Sequence, residues 1–276
     1  MPCLDLKARL AHSKPIVAPG VYDALSALIA ERAGFEALYV SGASLSYTQL
    51  GRPDYGLVSV TELVQAVGRI ADRVSVPLIV DADTGFGNEL NVRRTVHDLE
   101  QAGAAMIQIE DQTFPKRCGQ LAGKSVIPID EMCTKLRTAL EARRSERTLI
   151  MARTDAASVL GLDDALARAQ AYVDCGVDAL FIEALRDDAA MMRACEQFAH
   201  QLPMLANVVE GGHTPLDRAT DLAQKGFRII IYPGGSARFV AKQLSRFYTG
   251  LAQNGTTSEF KAEMFAFDDL FTLLDG

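Results

Sequence analysis

The sequence has no unbroken apolar run of about 18 residues, the length a helix needs to cross a bilayer, so no membrane span is expected. Met1 to Leu10 carries Asp5 and no long apolar core, so no secretory signal is expected there. No Cys-x-x-Cys pair occurs. The five cysteines, Cys3, Cys118, Cys133, Cys175 and Cys195, are odd in number and widely spaced, which fits a reducing, cytoplasmic setting. Positive charge is in deficit, with a net charge of −7. An acidic surface argues against nonspecific nucleic-acid binding, whose affinity comes from basic groups on phosphate, though it leaves room for a local basic pocket. No Gly-x-Gly-x-x-Gly follows the first apolar run, which weighs against a dinucleotide-binding open sheet. No break in composition marks a linker.

What is present is a repeating alternation. With 276 residues and 49% hydrophobic content, the chain can bury one large core. Short apolar runs at Ile16–Ala18, Ala37–Val40, Leu78–Asp81, Ala105–Glu110, Thr148–Ala152, Ala179–Ile182, Met204–Ala206 and Phe227–Ile231 read as strands. Each is followed by a helical pattern. Four helix ends share one phrase, at Ala33-Gly34-Phe35, Ala102-Gly103-Ala104, Cys175-Gly176-Val177 and Lys225-Gly226-Phe227. These glycines are expected at φ > 0, closing a helix before the next strand. Eight strand–helix units in about 250 residues suit an α/β fold of the (β/α)8 TIM type, one domain over 1–276. The segment 44–58, rich in Gly and Pro, reads as a functional loop with a turn of helix near Leu45 to Leu50. A last long helix is expected over Ser236–Leu251, and 259–276 is an apolar tail suited to docking.

In such a barrel, ligands sit at the C-terminal ends of the strands. Ser41, Asp81, Asp83, Glu110, Arg153, Glu183 and Asn207 fall there. In an extended segment residues i and i+2 share a face, so Asp81 and Asp83 are expected side by side. Paired carboxylates repel unless a proton or cation separates them, and a hard ion such as Mg²⁺ prefers oxygen ligands. The competing reading is a helix cap, an Asx turn or surface charge. Glu110, one strand away, can share the ion through water. Arg153 is placed to hold a substrate carboxylate with its planar fork, or to pair with one of these acids. The long loop after the fourth strand holds Lys116-Arg117-Cys118-Gly119-Gln120. A thiol between cations and a glycine ionises more readily than a free one. Phosphate binding by Lys116 and Arg117 is the rival reading. Cys133, Cys175 and Cys195 lie in helical, apolar contexts and read as structural.

Taken together, Asp81-Ala82-Asp83-Thr84-Gly85-Phe86-Gly87-Asn88, Ile109-Glu110-Asp111-Gln112, Pro115-Lys116-Arg117-Cys118-Gly119, Ala152-Arg153-Thr154-Asp155 and Ala206-Asn207-Val208-Val209-Glu210-Gly211-Gly212 carry a resemblance. The chain resembles the isocitrate lyase and phosphoenolpyruvate mutase superfamily, and within it the 2-methylisocitrate lyase, 2,3-dimethylmalate lyase and carboxyphosphonoenolpyruvate mutase group. That resemblance implies Mg²⁺, with Mn²⁺ as a substitute, on Asp81, with Asp83 and Glu110 acting through water. It implies that Tyr39, Ser41, Gly42, Ala43 and Asp54 line the site, that Arg153 and Asn207 bind substrate oxygens, and that Glu183, with Tyr39, forms the base network. Cys118 would protonate the departing carbanion, with Lys116 and Arg117 beside it. The expected reaction is cleavage of a C–C bond in a 2-hydroxy di- or tricarboxylic acid. Gln120 stands where lyase loops of the superfamily carry His, and Gln cannot titrate near pH 7. A phosphonomutase, or an oxaloacetate decarboxylase or hydrolase, therefore stays open. The resemblance also implies a homo-oligomer, a tetramer by preference, whose last helix is exchanged between subunits.

Overall fold

Strand residues alternate between two apolar layers, and that alternation builds the molecule. In order, the elements are α1 (Leu6–Leu10), β1 (Ile16–Val21), α2 (Ala24–Arg32), β2 (Leu38–Val40), α3 (Gly42–Leu45), α4 (Val60–Ala71), β3 (Leu78–Asp81), α5 (Glu89–Gln101), β4 (Ala104–Glu110) and α6 (Ile129–Ala142). They continue as β5 (Leu149–Thr154), α7 (Leu162–Asp174), β6 (Ala179–Ile182), α8 (Asp188–Phe198), β7 (Met204–Asn207), α9 (Ala219–Lys225), β8 (Ile229–Tyr232), α10 (Gly235–Asn254) and α11 (Phe267–Asp275). The structure, a computed structural model, describes residues 5–12, 14–119, 121–212 and 218–275. Its strands close in sequence order, every pair parallel, with β1 bonded to β8. The expected (β/α)8 barrel is the fold.

Ile16, Ala37, Tyr39, Ile79, Met106, Leu149, Met151, Phe181, Leu205 and Ile229 pack as one cluster inside the barrel. Val40, Val80, Ile107, Ile150, Leu180 and Ile230 belong to the other cluster, with helix residues such as Leu63, Val67 and Leu136. Successive strand residues point to opposite faces. The inward row of β4 therefore runs Met106, Gln108, Glu110, and that of β5 runs Leu149, Met151, Arg153. Period two lifts a polar group above each apolar layer, at the rim where the strands end. Leu6 and Leu10 of α1 join the interior cluster. Asp5 caps this helix by accepting from the amides of Lys7 and Ala8.

Helix starts follow their caps. Ser59 and Glu62 form a reciprocal capping box on α4. Such a cap is worth about 1 kcal/mol. The repeated helix-closing glycines sit at positive φ as expected, for example 91° at Gly34 and 103° at Gly103. The loop expected over 44–58 is more ordered than its glycines imply. Ser41 caps α3 by accepting from Ser44 N, Leu45 is buried, and a single π-helical turn, Ser46–Leu50, ends at Gly51. Between β7 and α9, residues 213–217 lie outside the described residues.

The chain divides into two compact units, Met1–Ala237 and Arg238–Gly276. The expected docking segment 259–276 falls within the second, where a 3-10 turn, Ser258–Glu263, precedes α11. Inside that unit Arg246 forks onto Glu263 through two 2.7 Å bonds, and Phe247 packs on Phe260 at 5.2 Å between centroids. Among the described residues no helix is long and apolar enough to cross a membrane.

Candidate active site

Ser41, Asp81, Glu110, Glu183 and Asn207 end or directly follow their strands, Arg153 is the last residue but one of β5, and the strands are all parallel, so they share one rim. Register sets their neighbours. Glu110 pairs with Arg153 across β4 and β5, and Asp81 pairs with Gln108 across β3 and β4.

Asp81 and Asp83 do come together, but for a different reason than their spacing. β3 ends at Asp81 and Asp83 turns to φ 47°, so the two do not share an extended face. Backbone in that region is costly for a non-glycine residue and recurs at functional sites. The turn aims both carboxylates at Gly42. A Cβ on Gly42 would lie 3.2 Å from Asp83 Oδ1 and 3.3 Å from Asp81 Oδ2, so a side chain there would crowd both carboxylates. The other oxygen of Asp81 accepts from Gln108 Nε2 at 2.9 Å, and Gln108 Oε1 accepts from Tyr39 OH at 2.9 Å. Tyr39 thus reaches Asp81 through Gln108. Burial, then the Asp81 charge, pushes its phenol well above the usual range. Through Gln108 it steadies Asp81.

The flap after β4 is held against the rim. A bridge between Gln112 and Val126 joins its two ends. Lys116 Nζ lies 2.7 Å from Asp54 and 2.8 Å from Asp83, with only 4% of its side chain exposed. Its own burial favours the neutral amine, but Asp83 and Asp54 outweigh that and hold it cationic. Lys116 is thereby held in an ion-pair cluster with Asp54 and Asp83. Arg117 is exposed, with its guanidinium near Gly123. Cys118 is half-buried. Gly119 presses on Arg153 Nη2 and Glu183 so closely that a side chain there would overlap them. Gln120 lies outside the described residues.

Arg153 lies within a carboxylate cage. Nε is 2.9 Å from Asp155 Oδ2 and 3.2 Å from Glu110 Oε2, while Nη2 is 3.1 Å from Asp155 Oδ1 and 3.6 Å from Glu183 Oε2. Its guanidinium stacks 4.9 Å over the Phe181 ring. Among the described residues nothing accepts from Nη1, which leaves that nitrogen for a ligand. These contacts form the ion pair expected of Arg153. Asn207 Nδ2 donates to Glu183 Oε2 at 3.0 Å. Ala184, next in chain, sits at φ 65°, a second strained position at the rim.

Several residues here were not singled out from the sequence. Asp155 binds Arg153 in a fork. Burial alone would raise its carboxyl, but Arg153 and Lys124 pull it below the usual range. Asp111 accepts from Thr154 Oγ1 at 2.7 Å, Asp155 N at 2.9 Å and Tyr172 OH at 2.8 Å, so a helix residue of α7 braces the rim from outside. Gln108 and Lys124 complete the set. Asp111 and Asp155 stand directly after Glu110 and Thr154, and that adjacency was the available signal.

The acids fit a hard divalent cation. Glu110 Oε1 is buried without a hydrogen-bond partner, and Asp83 Oδ1 meets the Lys116 ammonium at 2.8 Å. Burial lifts the Asp83 carboxyl to about 7 and Glu110 well above the carboxylate range, because Lys116 and Arg153 only partly compensate. Added positive charge relieves such a site. Among the described residues no three acidic, His or Cys side chains stand close enough to ligate one ion directly. Mg²⁺ commonly takes one or two carboxylates and keeps water for the rest.

A barrel that gathers buried acids, one guanidinium and a thiol-bearing flap at the C-terminal rim is an enzyme scaffold of the α/β-barrel class. The model of the phosphoenolpyruvate phosphomutase family matches residues 6–251, and the chain belongs to that family. It is 40% identical over 269 residues to the 2,3-dimethylmalate lyase of Eubacterium barkeri, covering 98% of this chain and 92% of that one. It is 42% identical to the 2-methylisocitrate lyase of Aeropyrum pernix over 275 residues, 99% of this chain and 87% of the relative. Among solved structures, oxaloacetate acetylhydrolase in complex with 3,3-difluorooxalacetate superposes with a TM-score of 0.93 at 32% identity, covering 99% and 92% of the two chains. A phosphonopyruvate hydrolase complexed with oxalate and Mg²⁺ gives 0.87 at 29% identity, covering 99% and 95%.

Proposed function

We propose that the chain is a divalent-metal-dependent C–C lyase that cleaves a small 2-hydroxy acid with a second carboxylate, of the 2-alkylmalate or 2-methylisocitrate type. The observation that carries this reading is the position of Cys118, one residue before the glycine that seats on Arg153 and Glu183. The names of the lyase relatives support it. Asp81 would hold Mg²⁺, with Mn²⁺ as a substitute, and Asp83 and Glu110 would act through water. When bound, the ion would withdraw charge from substrate oxygens and lower the pKa of the hydroxyl.

The chain's own residues supply the remaining steps. Arg153 Nη1 takes a carboxylate oxygen, and the amides that open α3, at Gly42 and Ala43, take others, since first-turn amides lack helix partners. Ser41 and Asp54 hold the walls through their own bonds to Ser44 N and Lys116. Glu183, oriented by Asn207, accepts the proton of the C2 hydroxyl. The C2–C3 bond breaks, C2 becomes a keto group, and the electron pair stays on C3 beside its carboxylate. Cys118 delivers a proton to C3. Arg117, at the outer face, compensates the thiolate. The flap, with Gln120 in its span, keeps water from the carbanion.

A second reading follows from the likeness to oxaloacetate acetylhydrolase: the same rim would hydrolyse or decarboxylate a keto acid, or act as a phosphonomutase. Incubation with Mg²⁺ and a panel of alkylmalates, 2-methylisocitrate, oxaloacetate and phosphonopyruvate separates the two. A keto acid plus a second carboxylic acid is the expected product pair. Oxalate with acetate, CO₂, phosphate or phosphoenolpyruvate as the only products would overturn the lyase reading.

The free thiols Cys118, Cys133, Cys175 and Cys195 suit a reducing compartment, and we place the enzyme in the cytoplasm. We also propose a homotetramer with an exchanged C-terminal helix. Exposed Phe239, Tyr248, Phe265, Phe267 and Phe271 of the second unit support a partner surface.

A further inference from the structure

Two buried lysines fasten the flap, one on each side of Cys118, and they hold different things. Lys116 is tied to Asp54 and Asp83, on the acidic side of the site. Lys124 Nζ donates to Gly119 O at 2.6 Å and to Asp155 Oδ1 at 2.7 Å, and 2% of its side chain is exposed. Asp155 is the fixed end of this link. Its amide is bonded to Asp111 Oδ1, and its carboxylate holds Arg153 at 2.9 and 3.1 Å. Gly119 is the flap end, next to the thiol. One ammonium therefore joins the backbone beside Cys118 to the carboxylate that aims Arg153.

We infer that Lys124 is a positioning residue that couples seating of the flap to the Arg153 site. This inference rests on the lyase reading above. Asp155 has two partners, so the guanidinium that meets substrate and the ammonium that anchors the flap share one anion. A dicarboxylate drawn to Arg153 Nη1 leaves Nε and Nη2 on Asp155, and the same Asp155 keeps Lys124 over Gly119. Without Lys124, Asp155, Glu110 and Glu183 still hold Arg153, so substrate binding survives. The carbonyl of Gly119 loses its donor, and Cys118 loses its fixed distance from the carbanion. A misplacement of about 1 Å near reacting atoms costs on the order of 10²-fold in rate.

The test compares wild type, Lys124→Met and Lys124→Arg with the best substrate from the panel. Lys124→Met is expected to lower kcat about 10²-fold with KM changed less than about threefold. Lys124→Arg, which can donate to both acceptors, is expected to recover at least tenfold of that loss. Iodoacetamide is expected to label Cys118 of Lys124→Met even with Mg²⁺ and oxalate present, whereas wild type is protected. A merely structural lysine would lower thermal stability without moving the kcat-to-KM split or the protection. Should Lys124→Met not fold, hydrogen exchange of wild type decides: Mg²⁺ and oxalate are expected to slow amides within 116–124 and 153–155 together. Slowing at 153–155 alone overturns the inference. Wild-type kcat and protection in Lys124→Met also overturn it, while loss of turnover in Cys118→Ser leaves the lyase reading standing. Equal turnover of Cys118→Ser would instead remove the lyase reading itself.

Discussion

The amide of Cys118 donates to the main-chain carbonyl of Asp54 at 3.2 Å. The main chain that carries the thiol is thereby tied to the loop that follows β2. Exchange of sulfur for oxygen leaves that bond in place. Cys118→Ser is expected to bind Mg²⁺ and oxalate as wild type does. Its turnover is expected to fall by about 10²–10⁴, the range for loss of a positioned proton donor. Steady-state kinetics and calorimetry on the same preparation check both halves. In deuterated water the wild type is expected to place one deuterium at the former C3 of the non-keto product.

Asp81 points one oxygen at Gln108 and the other at the gap beside Gly42. Asp81→Ala is expected to abolish Mg²⁺-dependent binding of oxalate in calorimetry, and EDTA is expected to do the same to wild type. Gln108→Leu removes only the orienting bond, so it is expected to weaken binding by about 10–100-fold, the usual range for loss of an outer partner of a metal ligand. Unchanged affinity in Asp81→Ala would exclude it as the anchor.

Gly119 rests on Arg153 and Glu183 with no room for a methyl group. Gly119→Ala is expected to leave the melting temperature within a few degrees, because the flap lies outside the barrel core. It is expected to lower kcat by about 10²-fold by lifting Cys118 away from the rim. Wild-type kcat in this variant would mean that the flap seats elsewhere during turnover.

The barrel was legible because helix ends repeat one phrase and strands repeat one period. Gly34, Gly103, Gly176 and Gly226 mark the repeats without tertiary information. The rim was legible because polarity rises where each inward row ends, as at Glu110 above Met106. Lys124 was not legible. A lysine in a Gly-rich loop reads as solvated, and only the fold brings Asp155, from another strand, to its ammonium. Gln108 was hidden within an apolar strand, its partners Tyr39 and Asp81 lying far off in sequence. The convergence of Asp81 and Asp83 was expected from an extended geometry, while the chain achieves it through a left-handed turn at Asp83.

The described cysteines should separate by reactivity. Burial pushes the Cys195 thiol up to about 12, and burial with the neighbouring Cys175 pushes Cys133 up to about 11. At pH 8 both remain thiols, and the thiolate is the nucleophile. Iodoacetamide at pH 8 is therefore expected to leave Cys133 and Cys195 unlabelled in the folded protein and to label Cys118, with inactivation tracking that site. Peptide mass spectrometry reads each position, and Mg²⁺ with oxalate is expected to protect Cys118. Rapid labelling of Cys195 in an active enzyme would contradict its burial.

Assembly is the remaining expectation, and the second unit carries it. Phe267 is 76% exposed, Phe265 62% and Phe271 51%, and α11 has no buried residue of its own. Phe267 and Phe271 lie one helical turn apart and touch at 5.0 Å, so they form one apolar stripe. Asp268 and Asp269 lie between them in sequence, which leaves the stripe amphipathic rather than uniformly apolar. A stripe of this kind on a monomer would favour aggregation, whereas a second copy of the chain would bury it. Native mass spectrometry at micromolar concentration is expected to show a tetramer. Removal of residues after Glu259 is expected to shift the spectrum toward smaller species. Phe267→Asp with Phe271→Asp is expected to have the same effect without shortening the chain. The double variant should keep a folded barrel by circular dichroism, since neither ring belongs to the apolar clusters of the first unit. A wild-type spectrum that is monomeric throughout would remove both the tetramer and the exchanged helix.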